Sequence, residues 1–282
     1  MPIILLDPGH GEGNNRSPVD PDYAEGSRMW TLAGLLADKL TSRGYDVYTT
    51  RPDICDDPSL YERGTEAGKL NADLFLSLHS NMSSKNPDGS YDEEKRGVVG
   101  IYSQTDIPFN RPLAERFTQA IATLMKNDDL GSFYSDYPNR PGVDYFGVLR
   151  YSAASGCRRA IIIEHGYHTN RQDTAWLLDD RNLALLASAE ARIICEVIPP
   201  EEKKTVYRVQ VGAYIYRVNA EREASRLREN GFDSFISCRD ELYRVQAGAY
   251  YSFDGAKALA EKLRAKGFDT YISVSEESGI RN

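Results

Sequence analysis

Three short motifs near the start of the chain carry side chains that bind metal ions. They read Asp7-Pro8-Gly9-His10-Gly11, Glu25-Gly26 and Ser77-Leu78-His79-Ser80-Asn81. Two histidines and a carboxylate are the ligand set of a hydrolytic zinc site, which leaves one coordination position open for water. The chain has 4 histidines in all, and the other two lie in and after a second glutamate motif, Glu164-His165-Gly166. We therefore predict a zinc site that contains His10 and His79.

Spacing alone does not decide which carboxylate completes this site. Glu25 has three rivals in the same loop, Glu12, Asp20 and Asp22. We favour Glu25 because a glycine follows it and because it leads into a predicted helix over 29–43, where packing would fix its position. The alternative for both histidines is an ordinary hydrogen-bonded loop residue, and the glycines on either side of His10 argue against it.

Glu164 is the candidate acid–base residue. It directly follows a β-branched run at 160–163, and a zinc hydrolase needs such a group within hydrogen-bond reach of the attacking water. The alternative is a carboxylate that caps a helix or pairs with an arginine. On an extended segment His165 would point away from Glu164. A structural role for His165 and His168 is therefore as well supported as a substrate contact.

Strands alternate with helices up to about residue 199. The pattern predicts strands at 3–6, 45–50, 74–78, 98–102 and 160–163, and helices at 29–43, 60–71, 113–125 and 182–198. This alternation predicts an α/β domain whose mainly parallel sheet is flanked by helices. Sites in such sheets lie where strands end. We therefore expect His10, His79 and Glu164 to meet at one edge of the sheet.

The rest of the chain repeats itself. Residues 207–214 return as 243–250, at an offset of 36 residues without a gap. Each copy reads strand, helix, strand, so the pair predicts a small α+β domain of order βαββαβ, a four-stranded antiparallel sheet backed by two helices. Prolines and charges before it predict a linker. The predicted division is a first domain at 1–199, a linker at 200–205, the repeat domain at 206–275 and a tail at 276–282.

Charge and composition argue against nucleic acid as a partner and against a membrane span. The formal net charge is −8, and residues after 200 carry 14 Lys/Arg against 13 Asp/Glu, which gives no basic face for nucleic acid. No apolar stretch approaches the roughly 20 residues of a membrane span. Because Met1-Pro2 leads directly into the first predicted strand, we expect no signal peptide. The 4 cysteines have no CxxC spacing, so we expect free thiols and synthesis in the cytoplasm.

The first two hundred residues resemble the zinc-dependent N-acetylmuramoyl-L-alanine amidases of the Amidase_3 type, whose fold is phosphorylase/hydrolase-like. The match includes the three motifs above, Thr50-Arg51 and the stretch from Ile163 to Asn170. The resemblance implies that His10, Glu25 and His79 bind one zinc ion per chain and that Glu164 is the catalytic carboxylate. Departures are small: Glu12 stands where a glycine is frequent and Tyr167 where phenylalanine is usual.

Residues 206–275 resemble a SPOR domain, whose Tyr-Arg-Val-Gln-x-Gly-Ala-Tyr element occurs in both copies. That family implies binding to peptidoglycan glycan strands that lack stem peptides. The candidate substrate contacts over both domains are Asn81, Arg51, His165, Tyr207 and Tyr243.

Together the two resemblances predict a peptidoglycan hydrolase. Zinc-activated water would cleave the amide bond between N-acetylmuramic acid and L-alanine, and the SPOR domain would target the enzyme to the wall. The alternatives are a non-catalytic wall-binding protein and a zinc peptidase that cuts within the stem peptide. We expect release through a holin-type pore or at cell lysis, as for a phage endolysin or a sporulation autolysin.

Overall fold

The structure is a computed structural model that describes residues 1–200 and 203–278. It divides into two compact units after Pro200. The first unit contains β1 (Ile3–Pro8), α1 (Glu25–Thr41), β2 (Asp46–Thr49), α2 (Leu60–Lys69), β3 (Leu74–Asn81), β4 (Val98–Tyr102), α3 (Ile107–Met125), β5 (Asp129–Phe133), β6 (Asp136–Tyr137), β7 (Arg140–Asp144), α4 (Gly147–Ala154), β8 (Ala160–Tyr167), α5 (Arg171–Leu178) and α6 (Asp180–Val197). The second contains β9 (Lys203–Tyr214), α7 (Arg217–Glu229), β10 (Phe235–Arg239), β11 (Leu242–Tyr250), α8 (Phe253–Ala265) and β12 (Tyr271–Ser278).

The first unit is built on a six-stranded sheet of order β2-β1-β3-β8-β4-β5. Its strands pair in parallel except for β4, which runs antiparallel to β8. The predicted α/β class with a mainly parallel sheet is therefore confirmed. The carboxyl ends of β1, β3 and β8 lie side by side at one edge, as the sequence predicts for the site.

Helices cover both faces of this sheet, which explains why its central strands are continuously apolar. Helices α1, α3 and α6 pack on one face with Ile4 and Leu6, and α2 and α4 pack on the other with Leu5. Successive side chains of a strand point to opposite faces. A strand that is buried on both sides therefore loses the apolar–polar alternation of a half-exposed one.

Some boundaries differ from the predicted ones in ways that matter for the site. Helix α1 begins at Glu25 instead of 29, so Glu25 lies in its first turn. Strands β3 and β8 continue to Asn81 and Tyr167, so the residues predicted to follow these strands lie within them. The sequence predicts neither strand β5 nor the β6–β7 hairpin nor helices α4 and α5, because their short segments have too little periodicity.

The second unit confirms the predicted βαββαβ domain. Its four strands are antiparallel in the order β10-β11-β9-β12, and α7 and α8 pack on one face around Val209 and Val245. The predicted linker at 200–205 is too long, because Lys203–Thr205 already pair with Glu276–Ser278 in the sheet. The same pairing shortens the predicted tail at 276–282. Linker residues 201–202 and tail residues 279–282 lie outside the described residues.

Within the described residues, no helix is long and apolar enough to cross a bilayer.

Candidate metal centre and active site

The ends of β1 and β3 bring the two motif histidines together. The backbone N–H of Gly9 donates to the carbonyl oxygen of Leu78 at 2.9 Å, and the rings of His10 and His79 lie 5.2 Å apart, edge to face. A Cβ at position 9 would lie 2.3 Å from the His79 ring, so only glycine allows this approach. His10 itself has a φ of 59°, an uncommon conformation for a residue with a side chain and one that a tight loop imposes.

Glu25 completes the group from the first turn of α1. Its side chain is fully buried, with Oε1 2.9 Å from Nδ1 of His79 and Oε2 3.5 Å from Nε2 of His10. The N–H of Ser80 donates to Oε1 at 3.0 Å, and the amide of Asn15 donates to Oε2. His10, Glu25 and His79 can offer ligand atoms that all lie within 4.8 Å of one another, and no other such trio occurs among the described residues.

The charges of this trio suit a divalent cation. Burial alone would raise the pKa of Glu25, but the hydrogen bond and charge of His79, with smaller contributions from His10 and His168, hold it below its usual value. Burial lowers the pKa of His10, against the opposing charge of Glu25. An anionic carboxylate beside two imidazole rings is the donor set that zinc prefers. The side chain of His10 is 40% exposed, so the group is open to solvent on one side.

A buried ion pair holds the strand ends beneath this trio. Nε and Nη2 of Arg63 donate to the two carboxylate oxygens of Asp7 at 2.6 and 2.7 Å, and Nη2 lies 3.4 Å from Nε2 of His79. Burial alone would raise the pKa of Asp7, but Arg63 and the hydroxyls of Ser77 and Thr50 outweigh it and keep the carboxylate ionised. The first residue of the Asp-Pro-Gly-His motif therefore positions β1 and β3, a role that the sequence did not reveal.

Glu164 lies directly opposite His79 in the parallel pairing of β3 with β8. Burial raises its pKa to about 7, with His79 opposing the shift and Glu25 adding to it. Its Oε2 is buried and has no hydrogen-bond partner among the described residues. A carboxyl group that titrates near neutrality can both accept and return a proton during a reaction. An unpartnered carboxylate oxygen beside the trio is available for that purpose.

His165 points away from Glu164, as expected on a strand, and its predicted contact with substrate is wrong. Its side chain is fully buried, with Nε2 2.7 Å from Oε1 of Glu190 and Nδ1 2.9 Å from the carbonyl oxygen of His79. The pair therefore braces the backbone of β3 from inside the core. Glu190 was missed, although a glutamate at helical spacing from Leu186 and Ile193 on the buried face of α6 is a detectable signal.

His168 lies behind Glu25. Its ring stacks on Tyr23 at 5.9 Å, and its Nδ1 lies 3.0 Å from the hydroxyl of Ser80 and 3.8 Å from Oε2 of Glu25. The side chain is fully buried, which gives it a structural role.

The other two predicted substrate contacts of the first unit, Arg51 and Asn81, differ in their exposure. Arg51 is 1% exposed, and its guanidinium donates to the carbonyl oxygens of Gly26, Ile54 and Asp56. The predicted substrate contact of Arg51 is therefore wrong, because this side chain shapes the loop below the site. Asn81 ends β3 at the catalytic edge, half-buried, and its side-chain oxygen accepts from the N–H of Met82.

In the second unit, the strand alternation decides which residues face solvent. Tyr207 and Tyr243 pack on the side of the helices, and the ring of Tyr207 lies 5.7 Å from that of Phe253 at the start of α8. Tyr207 and Tyr243 therefore do not line the uncovered face of the sheet, and their contact with substrate stays a prediction. Arg208 and Arg244 line a cavity of about 480 Å³ on the opposite, uncovered face.

The fold and the trio define a class of protein, an α/β protein whose candidate metal centre and acid–base carboxylate meet at the edge of a mainly parallel sheet. Comparison with known families makes this specific. The chain belongs to the N-acetylmuramoyl-L-alanine amidase family (Amidase_3), which matches residues 4–196. Residues 203–274 match the SPOR domain.

Relatives and solved structures agree with this assignment. The chain is 27% identical to the sporulation-specific N-acetylmuramoyl-L-alanine amidase of Bacillus subtilis (strain 168), over 85% of this chain and 86% of the relative. It is 26% identical to the N-acetylmuramoyl-L-alanine amidase CwlM of Bacillus licheniformis, over 85% of this chain and 86% of that relative. The fold resembles the catalytic domain of CwlV from Bacillus (Paenibacillus) polymyxa, with a TM-score of 0.58 and 22% identity. The match covers 71% of this chain and 100% of that structure. It also resembles an N-acetylmuramoyl-L-alanine amidase from Clostridium difficile 630, with a TM-score of 0.56 and 23% identity. That match covers 69% of this chain and 95% of that structure.

Proposed function

We propose that this amidase is a zinc-dependent peptidoglycan hydrolase whose metal is held by His10, Glu25 and His79. The observation that carries the proposal is the cluster of two imidazoles and one ionised carboxylate within 4.8 Å, next to the unpartnered oxygen of Glu164. Membership of the amidase family supports the reaction, which is hydrolysis of the bond between N-acetylmuramic acid and L-alanine.

Zinc bound at this trio would supply a Lewis acid that polarises the amide carbonyl and makes water more acidic. The residues of the chain supply the rest. Glu164 accepts a proton from the attacking water as the new C–O bond forms, and it returns that proton to the nitrogen as the C–N bond breaks. The products are a muramoyl lactyl carboxylate and a free L-alanine amino group. Asp7 and Arg63 hold the strand that carries His79 while this occurs.

The products of wall digestion test the proposal against its alternatives. Purified peptidoglycan treated with the full chain is expected to release fragments whose new amino termini are L-alanine, and a chelator is expected to stop the release. Newly exposed amino groups on other residues would instead establish a peptidase that cuts within the stem peptide. No release at all would favour the non-catalytic wall-binding alternative.

We further propose that the second unit binds glycan strands that lack stem peptides. Removing a stem peptide at the amidase bond leaves one carboxylate on each muramoyl group, and guanidinium groups recognise carboxylates well. Arg208 and Arg244 on the uncovered face supply two such groups within one cavity of about 480 Å³. The product of the first unit is thus a chemically suitable ligand for the second.

A truncated chain tests this division of labour. Residues 1–199 are expected to cut purified wall, because the candidate centre lies wholly within the first unit, but to co-sediment poorly with stripped glycan. The measurement is the fraction of protein bound to glycan that an amidase has stripped of its stem peptides, with the full chain as control. If the truncated chain binds stripped glycan as well as the full chain does, the second unit has no role in targeting.

We also propose that the protein acts as an autolysin of sporulating cells. A relative named as a sporulation-specific amidase matches 85% of the chain, across both units, which supports this interpretation over that of a phage endolysin.

A further inference from the structure

A buried pair of polar side chains lies behind the catalytic edge, on the opposite face of the sheet from Glu164. Ile161 and Ile163 of β8 pack with α1, α3 and α6, so strand alternation places His165 on that face and Glu164 on the other. His165 meets Glu190 of α6 there, and both side chains are fully buried. Burying a charged or polar group costs free energy that an apolar side chain would avoid. Packing alone therefore does not account for the His165–Glu190 pair.

A β-bulge brings the ring of His165 to the backbone of His79. Between His79 and Asn81 of β3, the partner residue in β8 advances by three positions instead of two, from Glu164 to Tyr167. Bulges of this kind re-aim side chains next to active sites. Nδ1 of His165 lies 2.9 Å from the carbonyl oxygen of His79. Because a carbonyl oxygen can only accept a hydrogen bond, the ring is the donor.

Glu190 fixes the orientation of this ring. Its Oε1 lies 2.7 Å from Nε2 of His165, and a ring nitrogen and a carboxylate oxygen at this distance need a proton between them. The ring is therefore bound at both nitrogens. The other oxygen of Glu190 is buried and has no hydrogen-bond partner among the described residues. The pair is thus a rigid donor aimed at the backbone of a candidate metal ligand.

The two functional side chains of these strands differ in how much else holds them. The ring of His79 lies 2.9 Å from Oε1 of Glu25 and 3.4 Å from Nη2 of Arg63. Oε2 of Glu164, in contrast, has no hydrogen-bond partner in the part of the chain that the structure describes. The position of Glu164 therefore depends on the backbone of β8, which the ring of His165 ties to β3.

We propose that His165, held by Glu190, is a positioning residue for hydrolysis, because its hydrogen bond to the carbonyl oxygen of His79 sets the distance between Glu164 and the candidate metal centre. The inference rests on the proposed function, in which Glu164 is the acid–base residue. Such a residue must lie within hydrogen-bond reach of the proton that it moves. A displacement of about 1 Å can lower the rate about a hundredfold.

Two double variants of the full chain separate positioning from packing. Both carry Glu190→Leu, so that no buried carboxylate is left without its partner. The first adds His165→Leu, which removes the donor. The second adds His165→Asn, whose side-chain amide can still donate to the carbonyl oxygen of His79. The kcat for purified wall is expected to fall about tenfold to a hundredfold in the leucine variant and to stay within about threefold of native in the asparagine variant.

Two further quantities distinguish this effect from damage to the site. The KM for wall is expected to stay native in both variants, because neither position contacts the substrate. Zinc content is also expected to stay native, because the ring of His79 keeps its own partners, Glu25 and Arg63. A fall in kcat alone is what misplacement of Glu164 predicts.

Asn110→Leu is the matched control for lost stability. Asn110 of α3 is fully buried and donates to the carbonyl oxygens of Ser103 and Arg158, both at 3.0 Å. These contacts lie at the opposite end of β8 from Glu164. The control is expected to lower the melting temperature, since it removes a buried donor from two carbonyl groups, but to keep the native kcat.

The inference is overturned if the leucine and asparagine variants have the same kcat, or if the leucine variant loses zinc in proportion to its activity. His165→Met with Glu190→Leu is made alongside, because the flexible methionine side chain fills irregular gaps and lacks an N–H donor. If neither apolar variant folds while the asparagine variant does, the pair serves folding and the inference is likewise overturned. Failure of the native chain to cleave any wall would overturn the proposed function instead.

Discussion

Replacing Glu164 with glutamine is expected to reduce wall cleavage by about a hundredfold to ten-thousandfold, the usual contribution of a general acid–base. Glutamine has the same shape but neither accepts nor returns the proton that hydrolysis requires. Because Glu164 is not in the trio of candidate ligands, the variant is expected to keep the zinc content of the native chain. Release of soluble wall fragments and elemental analysis of the purified protein measure the two quantities.

The matched control is Glu66→Gln on the exposed side of α2, which should retain native activity.

The pH dependence of wall cleavage by the native chain provides a second check on the role of Glu164. Burial raises the pKa of Glu164 to about 7, and a nearby cation would lower it. The base is active when deprotonated, so activity should rise with pH through a limb at or below about 7. Native activity in the Glu164→Gln variant would show that another group moves the proton.

Replacing Glu25 with glutamine is expected to weaken zinc binding at least about a hundredfold and to abolish cleavage. Substitution of a residue that only orients a metal ligand typically lowers metal affinity about ten- to a hundredfold. Loss of the charge of a ligand itself should lower zinc affinity by at least as much. The buried carboxylate of Glu25 is also the one group of the trio that carries negative charge. Zinc affinity measured by competition with a chromogenic chelator gives this quantity independently of activity.

The rival carboxylates of the same loop provide matched controls for this variant. Glu12→Gln and Asp20→Asn are expected to bind zinc as the native chain does, because neither carboxylate lies in the trio. If Glu12→Gln lost the metal while Glu25→Gln kept it, the ligand assignment would be wrong.

The sequence predicts the elements of the fold better than it predicts contacts between them. Apolar runs and helical spacing locate the strands that carry His79 and Glu164, because burial on a sheet leaves a local pattern. The partners of those residues are harder to predict. Glu190 reaches His165 from a helix 25 residues away, and Arg63 reaches Asp7 across 56 residues. Neither contact leaves a pattern in its own segment.

The side of the sheet on which the repeat tyrosines lie could not be predicted from the sequence, for a related reason. The repeat identifies Tyr207 and Tyr243 as equivalent, but not which side of the sheet its helices cover. That choice depends on which alternate positions are apolar enough to be buried, and tyrosine suits either face. Only the packing of Val209 and Val245 against α7 and α8 settles it.

The 36-residue repeat gives the uncovered face of the second unit an approximate two-fold symmetry. Most residues that line its cavity occur as equivalent pairs, one from each copy: Arg208 and Arg244, Gln210 and Gln246, Ser237 and Ser273, and Asp240 and Glu276. A glycan strand has two chemically different ends, yet it would meet nearly the same groups on this face whichever way it ran. Arg239, which is matched by Ser275, is the charged exception, and Phe235 and Val274 also line the cavity without their equivalents Tyr271 and Cys238. An enzyme anchored this way could face either end of the strand that it has bound, and substitution of Arg239 would remove the one charged group that distinguishes the two directions.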